Sequence, residues 1–178
     1  MEKREDRRVA MTRRIIKEAF TEILQEKDIY HVSIRELCER ADVNRTTFYK
    51  YYGNQFDLLA DMENDLLEFF SRTITEHTTD PEKIIETACA YLECHLEFSR
   101  LILNNSVDPL FPQKLFSLEI VREAALIKFP GQADESAYEY FYNYITYGAY
   151  RMICIWLNKE IRESPRQIAR LLARFIHL

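Results

Sequence analysis

Apolar residues recur at helical spacing along nearly the whole chain. Ile16, Ala19, Phe20, Ile23 and Leu24 fall at i, i+3, i+4, i+7 and i+8, which predicts a first helix over about 10–27. Ser33 followed by Glu36 has the form of a capping box and opens a short helix through Arg40. Asn44 is the next cap, so Ala41-Asp42-Val43 forms a tight turn, and the helix after it runs to about Tyr52. Gly53 is read as its C′ residue and Asn54 as the cap of a long helix over about 55–77, with Phe56, Leu59, Met62, Leu66 and Phe69 or Phe70 facing inward. Asp80-Pro81 opens a helix to about Phe98, with Ile84, Ala88, Leu92 and His95 or Leu96 on its buried side. A short piece over about 99–105 precedes a break at Asp108-Pro109-Leu110-Phe111-Pro112. Helices over about 113–128 and 134–159 flank the Pro130-Gly131 loop, and the last starts near Ser164-Pro165. The pattern therefore predicts about nine helices and no strand.

Composition narrows the class. Three glycines in 178 residues cannot supply the turns of a β-sandwich or barrel, and no GxGxxG or GxxxxGK[ST] loop is present. At 47% hydrophobic the chain has ample material for a core. It has neither an apolar run of ~18 residues nor an apolar stretch behind MEKREDRR, so no membrane association and a cytoplasmic address are expected. Cys38, Cys89, Cys94 and Cys154 read as small, mostly buried apolar residues. Cys89, Cys94 and His95 match no common zinc spacing, and the two thiols lie about 140° apart on a helix, so no metal is expected. His31, His77, His95 and His177 are scattered and no nucleophile-base motif occurs, so no catalytic residue and no cofactor is assigned.

Two short helices joined by a tight turn are the layout of a helix-turn-helix, whose second helix enters the major groove. That helix begins Asn44-Arg45-Thr46-Thr47-Phe48-Tyr49-Lys50-Tyr51-Tyr52. Arg45 suits bidentate contact with guanine, Thr46 and Thr47 a thymine methyl or phosphate, and Tyr49 and Lys50 phosphates. Phe48 and Tyr52, four apart, pack inward.

The strings TRRIIKEAFTEIL and SIRELCERADVNRTTFYKYYGNQFDLLADM closely resemble the N-terminal domain of TetR-family transcription regulators. Ile34, Leu37, Ala41, Val43, Thr47, Tyr49, Tyr52 and Leu58 agree in register with the family pattern over about residues 8–62. Asp42 replaces the usual turn glycine, Asn44 the cap serine, Tyr51-Tyr52 the His-Phe pair and Gln55 the phosphate-contacting lysine. The resemblance implies an all-α homodimer: a three-helix helix-turn-helix DNA-binding domain over 1–53 and a helical ligand-binding and dimerisation domain over 54–178. Double-stranded operator DNA would be met by Arg4, Arg7, Arg8, Ser33, Arg35, Asn44, Arg45, Thr46, Thr47, Tyr49, Lys50, Tyr51 and Gln55. The string YGAYRMICIWLNKEIRESPRQIARLL is similar to a recurrent TetR C-terminus, without its loop glycine.

Independently, Tyr138, Phe141, Ile145, Gly148, Met152 and Ile155 are spaced 3, 4, 3, 4, 3, a heptad-like seam for a second copy. Gly148 mid-helix costs about 1 kcal/mol against Ala, which a close helix approach would explain. Ile168, Leu172 and Phe175 of the last helix are expected to complete the interface. A small-molecule effector pocket is expected among Met62, Leu66, Phe69, Tyr91, His95, Phe98, Leu103, Phe111, Phe116, Tyr142 and Trp156. The family implies a repressor that leaves a palindromic operator when ligand binds. The alternative is a helical adaptor of the same fold without sequence-specific DNA binding.

Net charge is −5, which by itself argues against a general polyanion binder. Its distribution changes that. Residues 1–52 hold 12 Lys+Arg against 10 Asp+Glu, and residues 53–178 hold 12 against 19. The positive excess sits in Lys3, Arg4, Arg7, Arg8, Arg13, Arg14, Arg45 and Lys50, so an acidic body leaves the N-terminal face to engage DNA.

Overall fold

The computed structural model describes residues 2–77, 80–104, 107–126 and 135–176, with side chains over 7–77, 80–104, 107–123 and 137–175. Among them are ten α-helices, a 3-10 turn at Ile29–His31 and no strand. The helices are α1 (Glu2–Glu26), α2 (Ile34–Arg40), α3 (Arg45–Tyr49), α4 (Gln55–Glu76), α5 (Pro81–Cys94), α6 (Leu96–Leu103), α7 (Phe111–Phe116), α8 (Glu119–Leu126), α9 (Glu135–Asn158) and α10 (Pro165–Ile176). None is long and apolar enough to cross a membrane, among the described residues. The chain divides into two compact units, Met1–Asp65 and Leu66–Leu178, and their division lies inside α4.

In the first unit, Ile16, Phe20 and Ile23 of α1, Leu37 of α2, Phe48 of α3 and Leu58 of α4 are completely buried. Every helix start has a side-chain cap where the sequence places one. Ser33 accepts from the Glu36 N–H, and Asn44 Oδ1 from the Thr46 N–H. Asn54 Oδ1 accepts from the N–H groups of Phe56 and Asp57. A cap contributes about 1 kcal/mol, whereas fully burying a side chain such as Phe48 contributes roughly 1.5–3 kcal/mol. Caps therefore fix where α2, α3 and α4 begin, and burial fixes where they lie. The end of α1 is bound to α2 by Lys27–Glu36 at 2.8 Å and Arg40–Glu26 at 2.7 Å.

The turn between α2 and α3 rests on Asp42, whose φ of 49° is left-handed. It stands where the family pattern has glycine, and aspartate is among the few side chains that accept this conformation. Gly53 plays a different part from the C′ residue expected. α3 closes earlier, at Tyr49, and Gly53 instead donates its N–H to Asp57 Oδ2 at 3.0 Å. A Cβ there would lie 2.7 Å from that oxygen.

In the second unit, α5 and α10 pack as an antiparallel pair. Arg162, just before α10, faces Glu93 at one end, and Arg170 faces Glu82 at 3.0 Å near the other. The fully buried small residues Cys89 and Ala169 let these helices approach closely. Ser164 caps α10 by accepting from the Gln167 N–H, and the Gln167 side chain accepts from Ser164 N in return. α9 is tied down along one i, i+4 row. Tyr138 donates to the Arg122 carbonyl, Tyr142 to Phe116, Tyr150 and Cys154 to Leu103, and Thr146 to Tyr142 of its own helix. Asn104 and Asn158 exchange amide hydrogen bonds.

Several boundaries differ from the pattern. α1 begins at Glu2 rather than near 10. The helix expected to reach Phe98 breaks at His95, with no glycine or proline to mark it, and α6 takes up the following residues. Pro112 lies in the first turn of α7, where its missing N–H has no intrahelical partner to lose, so the break falls earlier than Pro112. The helix expected over about 113–128 is two, α7 and α8. Phe56 is 42% exposed rather than inward and meets Tyr30 at 5.5 Å between ring centroids. The expected Pro130-Gly131 loop lies outside the described residues.

Candidate nucleic-acid interface

α3 presents its polar side to solvent because Phe48 alone anchors its buried side. Arg45, Thr46, Tyr49 and Lys50 are exposed and Thr47 is half-buried. Among the described side chains of this unit, six basic ones have acidic partners: Arg13 and Lys17 with Asp61, Arg14 with Glu18, Lys27 with Glu36, Arg35 with Glu39, and Arg40 with Glu26. Arg45 and Lys50 pair with no carboxylate among the described residues. Among the described side chains of this unit, ion pairing thus leaves the available positive charge on α3 and on the exposed Arg7 and Arg8 of α1. A cation spent on a neighbouring carboxylate releases little counterion on DNA binding, whereas an unpaired one contributes fully.

The other assigned contacts divide. Arg7 and Arg8 are exposed on the first turns of α1, so the arm is helical. Arg4 belongs to the same helix, with its side chain outside the described ones. Ser33 and Asn44 spend one acceptor each on their caps. Arg35 is exposed and shares its charge with Glu39 at 2.7 Å, so it is a weaker phosphate ligand than its identity suggests. Tyr51 and Gln55 are half-buried.

One cluster escaped the sequence reading. Tyr52 follows α3 and is 4% exposed; its hydroxyl accepts from Arg13 Nε at 3.2 Å and donates to Asp61 Oδ2 at 2.9 Å. Arg13 also pairs directly with Asp61, and Lys17 reaches the same carboxylate at 2.6 Å. Burial, with the Asp61 hydrogen bond, pushes the Tyr52 phenol up to about 12 against the Arg13 contact, so it stays a neutral donor. Burial pushes Asp61 upward, but hydrogen bonds from Lys17, Arg13 and Tyr52 outweigh it and hold the carboxyl below its ordinary value. Arg13, counted in the basic arm by sequence, is thus committed to Asp61 and Tyr52. The available signal was the pair of i, i+4 charges, Arg13/Lys17 on α1 and Asp61/Asp65 on α4, together with Tyr where the family pattern has Phe.

Family models match on both sides of this geometry: "Bacterial regulatory proteins, tetR family" over residues 15–62 and "Transcriptional regulator C-terminal region" over 79–178. The chain belongs to the TetR family of transcriptional regulators. It is 23% identical over 163 residues to the uncharacterized HTH-type transcriptional regulator YxbF of Bacillus subtilis, covering 87% of this chain and 42% of that protein. It is 34% identical over 62 residues to the HTH-type dhaKLM operon transcriptional activator DhaS of Lactococcus lactis, covering 34% and 33%. The matched stretches thus span less than half the length of either relative. In fold it is similar to a TetR transcriptional regulator from Streptococcus agalactiae, with TM-score 0.69, 18% identity and 99% of each chain covered. A dihydroxyacetone kinase operon activator DhaS structure matches at TM-score 0.64, 16% identity and 94% of each chain. This TetR-family protein therefore carries a DNA-binding helix-turn-helix, and its relatives are regulators rather than enzymes.

The residues assigned to a second copy split by burial. Gly148, Ile155 and Phe175 are exposed, while Tyr138, Phe141, Ile145 and Met152 are half-buried. Ile168 and Leu172, at 4% and 1% exposure, are packed inside their own unit. α10 turns Leu171 and Phe175 outward instead. On α9 the outward row is Tyr140, Tyr144, Tyr147, Gly148, Arg151 and Ile155, of which the heptad spacing names Gly148 and Ile155.

The pocket candidates also divide. Met62 belongs to the first unit and the remainder to the second. Leu66, Leu103, Phe111, Tyr142 and Trp156 are buried, and Trp156 donates its indole N–H to the Glu163 carbonyl at 2.7 Å. Tyr142 likewise spends its hydroxyl on Phe116. Phe69, Tyr91, Phe98 and Phe116 are half-buried, with Phe69 and Tyr91 stacked at 3.8 Å. His95 is exposed at the break between α5 and α6, not on an apolar stripe. Cys38, Cys89 and Cys154 are buried and Cys94 is exposed. Burial pushes the Cys89 thiol up to about 12, which removes it from thiolate chemistry. No cluster of three or more His, Cys, Asp or Glu suited to a metal occurs among the described residues.

Proposed function

We propose that the chain is a sequence-specific transcriptional regulator that binds a palindromic operator as a homodimer. The carrying observation is the exposed face of α3, where Arg45 and Lys50 stand beside Thr46 and Tyr49 without acidic partners among the described residues. Arg45 reads guanine, and Lys50 and Tyr49 hold phosphates. One such helix gives modest affinity; two, related by a two-fold axis, match half-sites ~34–36 Å apart. Dimerisation is supported by Gly148. A Cβ there meets nothing within 4 Å in the single chain, so its own packing gives no reason for a mid-helix glycine.

The dimer acts as a repressor in the cytoplasm, released by a small-molecule effector that enters the second unit among the half-buried aromatics Phe69, Tyr91, Phe98 and Phe116. Effector release is a population shift: ligand favours a spacing of recognition helices that the operator does not. The sign of regulation depends on where the operator lies relative to the promoter, and DhaS is named as an activator.

The test is fluorescence-anisotropy binding to the chain's own upstream DNA across a salt series. Specific binding falls steeply, with log K dropping by ~0.9 per phosphate neutralised per log unit of salt, and prefers one sequence over a scrambled duplex. No preference at any salt would replace this reading with that of a helical adaptor.

A further inference from the structure

We propose that the Tyr52 hydroxyl, held between Arg13 and Asp61, is a positioning group that orients α3 and so sets base selectivity rather than general DNA affinity. The inference rests on the reading that α3 meets base edges.

α3 has only five residues, too few for its axis to be fixed by packing along its length. Beyond the turn from α2 and the Asn44 cap at its start, two buried side chains hold it. Phe48, completely buried, is one. Apolar burial is non-directional, so this contact sets depth but tolerates rotation. The second is Tyr52, whose N–H donates to the Phe48 carbonyl at 3.0 Å, so its backbone moves with the end of α3. Its phenol packs against Phe48 at 5.6 Å and extends to Arg13 of α1 and Asp61 of α4. Hydrogen bonds weaken steeply away from linearity, so this point fixes direction. Lys17 closes the cluster at 2.6 Å from Asp61 and holds the acceptor still. None of these groups belongs to the exposed face of α3. Their influence on bases passes through the orientation of Arg45, whose bidentate contact with guanine tolerates little tilt.

The experiment compares wild type, Tyr52→Phe and Arg13→Lys on the operator, on a duplex with one guanine contact replaced, and on scrambled DNA. Affinities are measured over a salt series, with thermal unfolding run alongside. Tyr52→Phe keeps the ring and removes the directional bond. The expected result is an operator-to-variant affinity ratio reduced about tenfold, the worth of one hydrogen bond to a charged group, with the salt slope unchanged. Arg13→Lys keeps the charge but supplies a point donor in place of the fork, and reduces the ratio less. It also carries the test should Tyr52→Phe prove too unstable to purify. A merely structural role predicts the opposite pattern: lower melting temperature, uniform weakening on all duplexes and an unchanged ratio, which overturns the proposal. If wild type itself shows no preference among the duplexes, the base-reading function fails first, and the two failures are distinct.

Discussion

α3 and α9 both turn tyrosines to solvent, in opposite company. Tyr49 of α3 is 57% exposed beside Arg45, Thr46 and Lys50. Tyr140 and Tyr144 of α9 are 78% and 79% exposed, followed by Tyr147, Gly148 and Ile155. An aromatic ring with a polar tip among cations suits a phosphate backbone, whose charge dominates affinity. The same ring in a largely apolar row, with Arg151 between Tyr147 and Ile155, suits a protein interface, where tyrosine and arginine are enriched. The residue type is shared, and the neighbours decide what it meets.

The comparison is broken most severely at Gly148. Gly148→Glu meets no internal obstacle, so circular dichroism stays unchanged while light scattering reports half the mass. An unchanged mass removes α9 from the interface. On the DNA side, Arg45→Ala is expected to cost about 1–3 kcal/mol of discrimination at one operator position, read as a loss of preference with nonspecific binding retained. Asp42→Val places a β-branched residue at φ 49° and lowers stability by about 1–2 kcal/mol, measured by denaturant unfolding; equal stability would show that the turn relaxes. Lys50→Ala weakens all sequences alike and reduces the salt slope by about 1, so a sequence-dependent effect would move Lys50 from phosphate to base. The smallest effect is the acid limb of stability. Asp61 has a lowered folded pKa, so its contribution is present above the unfolded value of about 3.9 and is lost as pH falls through the folded one. Asp61→Asn flattens that limb; an unaltered profile below pH ~4 assigns it to other carboxylates.

The two regions were also unequally legible. In the first unit, Ser33, Asn44 and Asn54 cap the helices expected of them, because a cap needs only its own N–H groups two or three residues away. Asp42 in the turn was readable for the same local reason. In the second unit, the break at His95 and the division between α7 and α8 carry no glycine or proline, and the periodicity runs through them. Ile168 and Leu172 illustrate a different failure. They share the apolar spacing of an interface, but a helix period says only that a face is buried, not whether the chain itself or a partner buries it.

By itself the sequence determined the helical class, the helix-turn-helix and the polar outer face of α3, since these depend on spacings within a few residues. Tertiary structure alone decided which cations remain available. Arg13, Arg35 and Arg40 look equivalent to Arg45 in the chain, yet each pairs with a carboxylate, Asp61, Glu39 or Glu26. Two of those partners lie 48 and 14 residues away. A charge is spent or free according to what folding brings within a few ångströms of it, and that distance is not written in the local pattern.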